Sequence, residues 1–131
     1  MVAVDTNLVV RLLTQDDELQ FRKSVEIFSA QDVFVSDTAI LETEWVLRFA
    51  YQFKPAEVCK ALRSLFGLSN VHLASASLIA QVLQWHESGL DMADAFHLVQ
   101  SQHCTALYTF DDKFVKRAKG LTKCSVKKPL E

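Results

Sequence analysis

The sequence predicts an α/β fold in which a short parallel sheet is covered on both faces by helices. Three observations carry this. Short, β-branched apolar runs recur along the chain and alternate with longer stretches of helical character, the signature of a parallel sheet packed between helices. Glycine and proline are scarce, at 3 and 2, which favours helices over a turn-rich all-β fold. The chain has 131 residues, 50% apolar and 23% charged, an ordinary globular balance for one domain with a sizeable core.

The elements follow in order. Val2-Ala-Val4 is a short apolar run ending at Asp5-Thr-Asn7, which reads as a buried strand turning into a helix over Leu8–Leu13. Asp16 or Asp17 can cap a second helix through Ala30, with Leu19, Val25 and Phe28 on its inner side. Val33-Phe-Val35 is strand-like, and Ser36 and Asp37 then offer caps to a helix running to about Phe53. Pro55 suits the first turn of a fourth helix and Gly67 its end. A third strand falls at Val71–Leu73, and a helix over Ser75–Ser88 is closed by Gly89. A further helix covers Asp91–His103. Ala106-Leu-Tyr-Thr-Phe110 is the clearest later strand, followed by a short basic helix from Asp111 or Asp112. No internal repeat, low-complexity segment or linker interrupts this series, so the whole of 1–131 reads as a single domain.

Charge and composition exclude several classes. Residues 1–112 hold 7 Lys and Arg against 15 Asp and Glu, whereas residues 113–131 hold 7 against Glu131 alone. An acidic body with a basic C-terminal stretch is unlike a plain DNA-binding module, which would be basic throughout. It suits a protein that holds cations in one place and a polyanion in another, although a solvated, partly frayed tail would carry the same charges. No apolar run approaches the roughly 18 residues of a membrane span, and no basic stretch precedes an apolar one at the N-terminus, so a cytoplasmic location is expected. Cys59, Cys104 and Cys124 are an odd number at spacings unsuited to zinc, and read as buried thiols in a reducing compartment. There is no glycine-rich phosphate loop, which removes an NTPase reading.

The acids carry the functional signal. Ligands of parallel sheets gather beyond the carboxyl ends of the strands, and Asp5 and Asp111 each immediately follow an apolar strand. Glu42 lines up with Trp45, Val46, Phe49 and Phe53 and extends an apolar helix stripe, where a carboxylate needs a charge partner or a metal. Glu44 has Arg48 four residues on and reads as one half of an ordinary surface ion pair. In Asp91-Met-Ala-Asp94 the carboxylates lie three residues apart, on one side of a helix start. Taken singly, each acid reads as structural before it reads as catalytic, with Asp91, Asp94, Asp111 and Asp112 accounted for as helix caps or dipole partners. Together at one sheet edge, oxygen-only ligands select a hard cation, Mg²⁺ or Mn²⁺, rather than zinc. Such ions polarise a phosphoryl oxygen and activate water. Without a cation, at least one of the converging carboxyls should have a raised pKa.

At this point the chain resembles the PIN-domain ribonucleases, and most closely the VapC-type toxins of toxin–antitoxin pairs. The resemblance is carried by Val4-Asp-Thr-Asn7, by Leu41-Glu42 with Trp45-Val-Leu-Arg48, by Gly89-Leu-Asp-Met-Ala-Asp-Ala95, and by Thr109-Phe-Asp111 with Phe114. It implies a three-layer α/β/α fold and a metal-dependent endoribonuclease using Mg²⁺ or Mn²⁺, with Asp5, Glu42, Asp94 and Asp111 as catalytic and metal-binding acids. Asn7 and Thr109 would orient carboxylates and water, and Asp91 would support them. The family's usual assembly is a homodimer, and its toxin members are silenced by a DNA-binding VapB-type antitoxin whose tail fills the acidic groove. A housekeeping RNA-processing nuclease is the nearest alternative. The neighbouring acids in Asp111-Asp112-Lys113 leave the ligand at that point open.

Four further residues have a place in this reading. Arg11, Lys113, Lys116 and Arg117 could meet the phosphates of an RNA substrate, and Arg11 could equally reach solvent. Lys123, Lys127 and Lys128 would contribute less if they belong to a mobile tail. His97 stands three residues after Asp94 and reads as a structural histidine. Trp45, Phe49 and Phe53 read as core or dimer surface. Two rival readings remain: Asp5 as a phosphoryl-accepting nucleophile, which would want an acid where Asn7 stands, and a non-catalytic binding module whose acids serve only as caps.

Overall fold

The structure, a computed structural model, describes residues 1–129, so Leu130 and Glu131, the acid counted with the basic stretch, lie outside it. The chain divides into two compact units, Met1–Ala76 and a second beginning at Ser77. Among the described residues there are seven α-helices and five short strands, all paired in parallel, so the α/β class is the one expected.

The first unit is built on the sheet β1-β2-β3, formed by β1 (Val2–Val4), β2 (Val33–Val35) and β3 (Val71–His72). Val4 pairs with Val35, so Asp5 and Ser36 leave the sheet at the same carboxyl edge, each as the N-cap of the next helix. Asp5 caps α1 (Thr6–Thr14), its Oδ1 accepting from the Leu8 amide at 3.2 Å. Ser36 caps α3 (Asp37–Phe49) through its hydroxyl and the Ala39 amide. Asp17 caps α2 (Glu18–Ala30), and Lys54 leads into α4 (Pro55–Phe66), where the Glu57 carboxylate accepts from the Lys54 amide at 3.0 Å. These bonds satisfy amides that a helix start leaves without intrahelical partners.

A polar clasp holds the far ends of α1 and α3. Arg11 donates from Nη1 to Asp16 at 2.8 Å and to the Tyr51 hydroxyl at 3.2 Å, and from Nε to Gln20 at 2.7 Å. Tyr51 in turn donates to Asp16. Asp16 is thereby held below its ordinary proton affinity, first by the Tyr51 hydroxyl and then by Thr14 and Arg11, against the opposing effect of burial.

The second unit contains α5 (Ala76–Glu87, whose first residue closes the first unit), α6 (Met92–Gln100), β4 (Ala106–Tyr108), α7 (Asp112–Ala118) and β5 (Ser125–Lys127). Gly89, at φ 119°, ends α5. The Leu90 amide reaches back to the Trp85 carbonyl and the Gly89 amide to His86, the paired bonds that close a helix through a left-handed residue. His86 is buried and its Nδ1 bonds the Leu90 carbonyl at 2.8 Å, which gives it a structural role. β4 and β5 run parallel, joined by α7, with Tyr108 opposite Lys127.

Several expectations are corrected. α3 ends at Phe49 rather than near Phe53, because Gln52 turns to φ 60° and the Phe53 amide bonds back to Leu47. α6 stops at Gln100, three residues short of His103. Leu19 is exposed rather than on the inner side of α2, and Cys104 is exposed while Cys59 and Cys124 are buried. The basic stretch is held as far as Lys128 rather than forming a free tail there: β5 pairs with β4 through Lys127, and Lys128 forms an ion pair with Asp112 at 2.5 Å.

The largest correction concerns α3. Its buried face is Ile40, Thr43, Glu44 and Leu47, whereas Trp45 and Phe49 are 58% and 59% exposed and stack on each other at 5.0 Å. Glu42 therefore stands exposed, and Glu44, at 1%, is the buried carboxylate. Arg48 forms an ion pair with it, Nε to Oε2 at 2.9 Å, and its Nη2 donates a hydrogen bond to Oε1 at 3.3 Å. The sequence pattern misleads because two polar residues occupy the inner stripe while two aromatics occupy the outer one. Breaking a buried pair by removing one partner costs about 3 kcal/mol, since the remaining charge is stranded. Arg48→Met should lower unfolding free energy by about that much in a urea melt, and Arg48→Met with Glu44→Leu should recover much of it. Glu42→Gln, on the solvent side, should shift stability by less than about 0.5 kcal/mol.

Candidate active site

Three acids of the second unit, Asp91, Asp94 and Asp111, share a groove of about 380 Å³ with Lys113, Phe114 and Arg117. Local folding delivers them. Asp91 caps α6, its Oδ2 accepting from the Ala93 amide at 3.1 Å and the Asp94 amide at 3.4 Å, which places Asp94 in the first turn. Asp111 caps α7 in the same way, Oδ1 accepting from Lys113 at 2.9 Å and Phe114 at 3.3 Å. Thr109 fixes the turn between β4 and that cap, its hydroxyl accepting from the Asp111 amide at 3.0 Å. Lys113 and Arg117 are one helical turn apart on α7 and so share the side that lines the groove.

Two helix starts therefore aim their amides at carboxylates in one groove. The amides and the helix dipoles favour negative charge at Asp91 and Asp111. Asp94 bears the repulsion: its carboxyl is pushed above its ordinary pKa, first by burial, then by Asp91, then by Asp111. His97 and Arg117 pull the other way. Burial raises a carboxyl by disfavouring its charged form, and the neighbouring acids add to that effect.

The remaining expected residues fall elsewhere. Asp5, Asn7 and Glu42 belong to the first unit, all three exposed, with Asp5 at the carboxyl end of β1, Asn7 in the first turn of α1 and Glu42 on the outer side of α3. Arg11 is engaged in its clasp with Asp16, Gln20 and Tyr51, so its guanidinium has a structural task. Lys116 does not line the acidic groove, and neither does Asp112. That separates the neighbouring acids of Asp111-Asp112: only Asp111 shares the groove with Asp94. The influence of Arg117 on Asp94 is the feature sequence reading did not supply, although the four-residue spacing of Lys113 and Arg117 held the signal.

The donor chemistry of the groove fits a hard divalent cation. Its candidate ligands are carboxylate oxygens with no cysteine, a donor set that suits a hard cation. Among the described residues, no group of three or more His, Cys, Asp or Glu side chains is placed to hold a metal ion.

The sign of the Asp94 effect gives a test. A carboxyl whose pKa is raised by folding favours the folded state below its unfolded pKa and loses that contribution as pH rises through the folded value. Ionised Asp94 is thus a burden at neutral pH. In EDTA at pH 7, Asp94→Asn should melt at a higher temperature than wild type, and the gap should close below about pH 4. A lower melting temperature for Asp94→Asn would instead assign Asp94 to stabilising the start of α6.

Among known proteins, no curated sequence matches the chain. No helix among the described residues is long and apolar enough to cross a membrane. The PIN domain matches residues 2–120, a span that holds Asp5, Glu42, Asp91, Asp94 and Asp111. With acids following parallel strands and an acidic groove at two helix starts, that match shows that the chain belongs to the PIN domain family, a family associated with nuclease activity.

Proposed function

We propose that the chain is a Mg²⁺- or Mn²⁺-dependent endoribonuclease, the toxin of a toxin–antitoxin pair of the VapC type, that hydrolyses RNA phosphodiester bonds. The observation that carries the reading is the groove in which Asp91, Asp94 and Asp111 face Lys113 and Arg117. Carboxylates beside cations suit a site that must hold a metal and a phosphodiester together. The motif series from Val4-Asp-Thr-Asn7 to Thr109-Phe-Asp111 supports the toxin assignment within the PIN domain family.

Asp94 and Asp111 are the groove residues proposed to hold the ion, with Asp91 keeping the start of α6 in place. Asp5 and Glu42 are the further acids on which cleavage is proposed to depend, and Asn7 and Thr109 are supporting residues. When bound, a divalent cation supplies Lewis-acid polarisation of a phosphoryl oxygen and activates water at neutral pH. Lys113 and Arg117 bring positive charge to the phosphate, and Arg117 and His97 hold Asp94 toward its ionised form. The amides of Lys113 and Phe114 fix Asp111 before substrate arrives, so no reorganisation of that carboxylate is needed. The assembly proposed is a homodimer, silenced by a VapB-type antitoxin, acting in the cytoplasm on RNA without a membrane partner.

The experiment is cleavage of tRNA and rRNA fragments in Mn²⁺. Metal contacts supply several kcal/mol of transition-state stabilisation, and each ~1.4 kcal/mol is tenfold in rate. Asp5→Asn, Glu42→Gln, Asp94→Asn and Asp111→Asn should each lower the cleavage rate on the order of 10³ or more while melting as folded proteins. Asp112→Asn should lower it by less than about tenfold, since a carboxylate outside the groove supplies less than the ~1.4 kcal/mol of one decade. Equal loss from Asp111→Asn and Asp112→Asn would overturn the assignment of Asp111, and absence of metal-dependent cleavage would overturn the nuclease reading.

A further inference from the structure

The basic C-terminal stretch is sorted by the fold into two faces of α7. Lys113, Phe114 and Arg117 turn to the acidic groove, while Asp112, Lys116 and Lys119 line a second groove of about 640 Å³. Lys123 and Lys128 complete its cationic lining. Four lysines and one carboxylate therefore share this groove, and the carboxylate of Asp112 is already paired with Lys128. Among the described residues, Lys116, Lys119 and Lys123 have no ion pair. A cation in the last turn of α7 is accounted for by the helix dipole, but that explains Lys116 alone.

β5 makes the arrangement possible. Its pairing with β4 carries Lys128 back beside the start of α7, and Cys124, buried at 3% exposure, anchors the approach to the strand. Lys123, Lys128 and β5 all lie beyond residue 120, where the match to the PIN domain ends. The groove thus joins the end of the matched domain, with Lys116 and Lys119, to the segment beyond it, with Lys123 and Lys128.

We infer that the α7–β5 groove is a phosphate-tracking site that holds single-stranded RNA flanking the cleaved bond, through Lys116, Lys119 and Lys123. The inference rests on the ribonuclease reading. Charge complementarity selects a polyanion, and α7 is shared by both grooves, so a strand leaving Lys113 and Arg117 crosses one helix to meet the second set of lysines. Contacts to phosphate fix the strand's position without reading its bases.

Binding of a labelled single-stranded RNA is measured by fluorescence anisotropy in EDTA across a salt series, which separates affinity from cleavage. The triple variant Lys116→Gln, Lys119→Gln, Lys123→Gln should bind roughly tenfold or more weakly at low salt, and the slope of log K against log salt should fall by about 2, at ~0.7 per lost single-strand contact. Asp112→Asn releases Lys128 and removes the groove's one negative charge, so it should bind more tightly than wild type; this arm decides the matter should the triple variant melt early. Unchanged affinity and slope in a folded triple variant, or no tightening in Asp112→Asn, would overturn the inference. Displacement of RNA by an acidic peptide of matched charge at equal concentration would give the groove to a protein and overturn it as well. Cleavage by wild type in Mn²⁺ is read separately: cleavage with an indifferent groove sinks the groove alone, and groove-dependent binding without cleavage sinks the ribonuclease reading on which it rests.

Discussion

The convergence of Asp91, Asp94 and Asp111 on one groove is the constraint on which the candidate site depends. Three carboxylates in one groove would push each other toward protonation unless something offsets their charge. Asp91 and Asp111 sit at helix starts and accept two backbone amides each. Asp94 has no such pair of amides and carries the raised pKa, moderated by His97 and Arg117. Capping and function are therefore not competing accounts of Asp91 and Asp111. The cap is what holds the carboxylate in the groove.

The same economy extends to α7. Seven residues present one side to an acidic groove and the other to a basic one. Helical periodicity separates Lys113 and Arg117 from Lys116 and Lys119, although all four belong to one charge run in the sequence. Charge counting along the chain sees a basic tail. Folding makes of it two differently charged environments on either side of a single helix.

Much of the fold was legible because backbone physics marks it locally. The caps Asp17, Ser36, Asp91 and Asp111, Pro55 at the start of α4 and Gly89 at the end of α5 all stand where residue chemistry places them. β5 was not legible, since Ser125-Val-Lys127 is three residues with one apolar side chain and gains its identity only by pairing with β4. α3 was misread for a different reason. Its exposed face carries Trp45 and Phe49 and its buried face carries Thr43 and Glu44, so hydrophobic periodicity points to the wrong side. Of the candidate site, Asp91, Asp94, Asp111, Lys113 and Arg117 could be named from sequence, but the separation of Asp111 from Asp112 required the turn at Thr109 and the start of α7. The engagement of Arg11 with Tyr51 was invisible for the same reason, its partner lying forty residues away.

The central claim is that the acidic groove of the second unit is a cation site. Paramagnetic broadening of backbone amide signals on titrating Mn²⁺ into the folded chain tests it most directly. The account predicts that the amides of Ala93, Asp94, Lys113 and Phe114 broaden first, at substoichiometric ion, and that Asp94→Asn abolishes this selectivity. Broadening spread evenly over exposed acids such as Glu18 and Glu26, unchanged by Asp94→Asn, would contradict it.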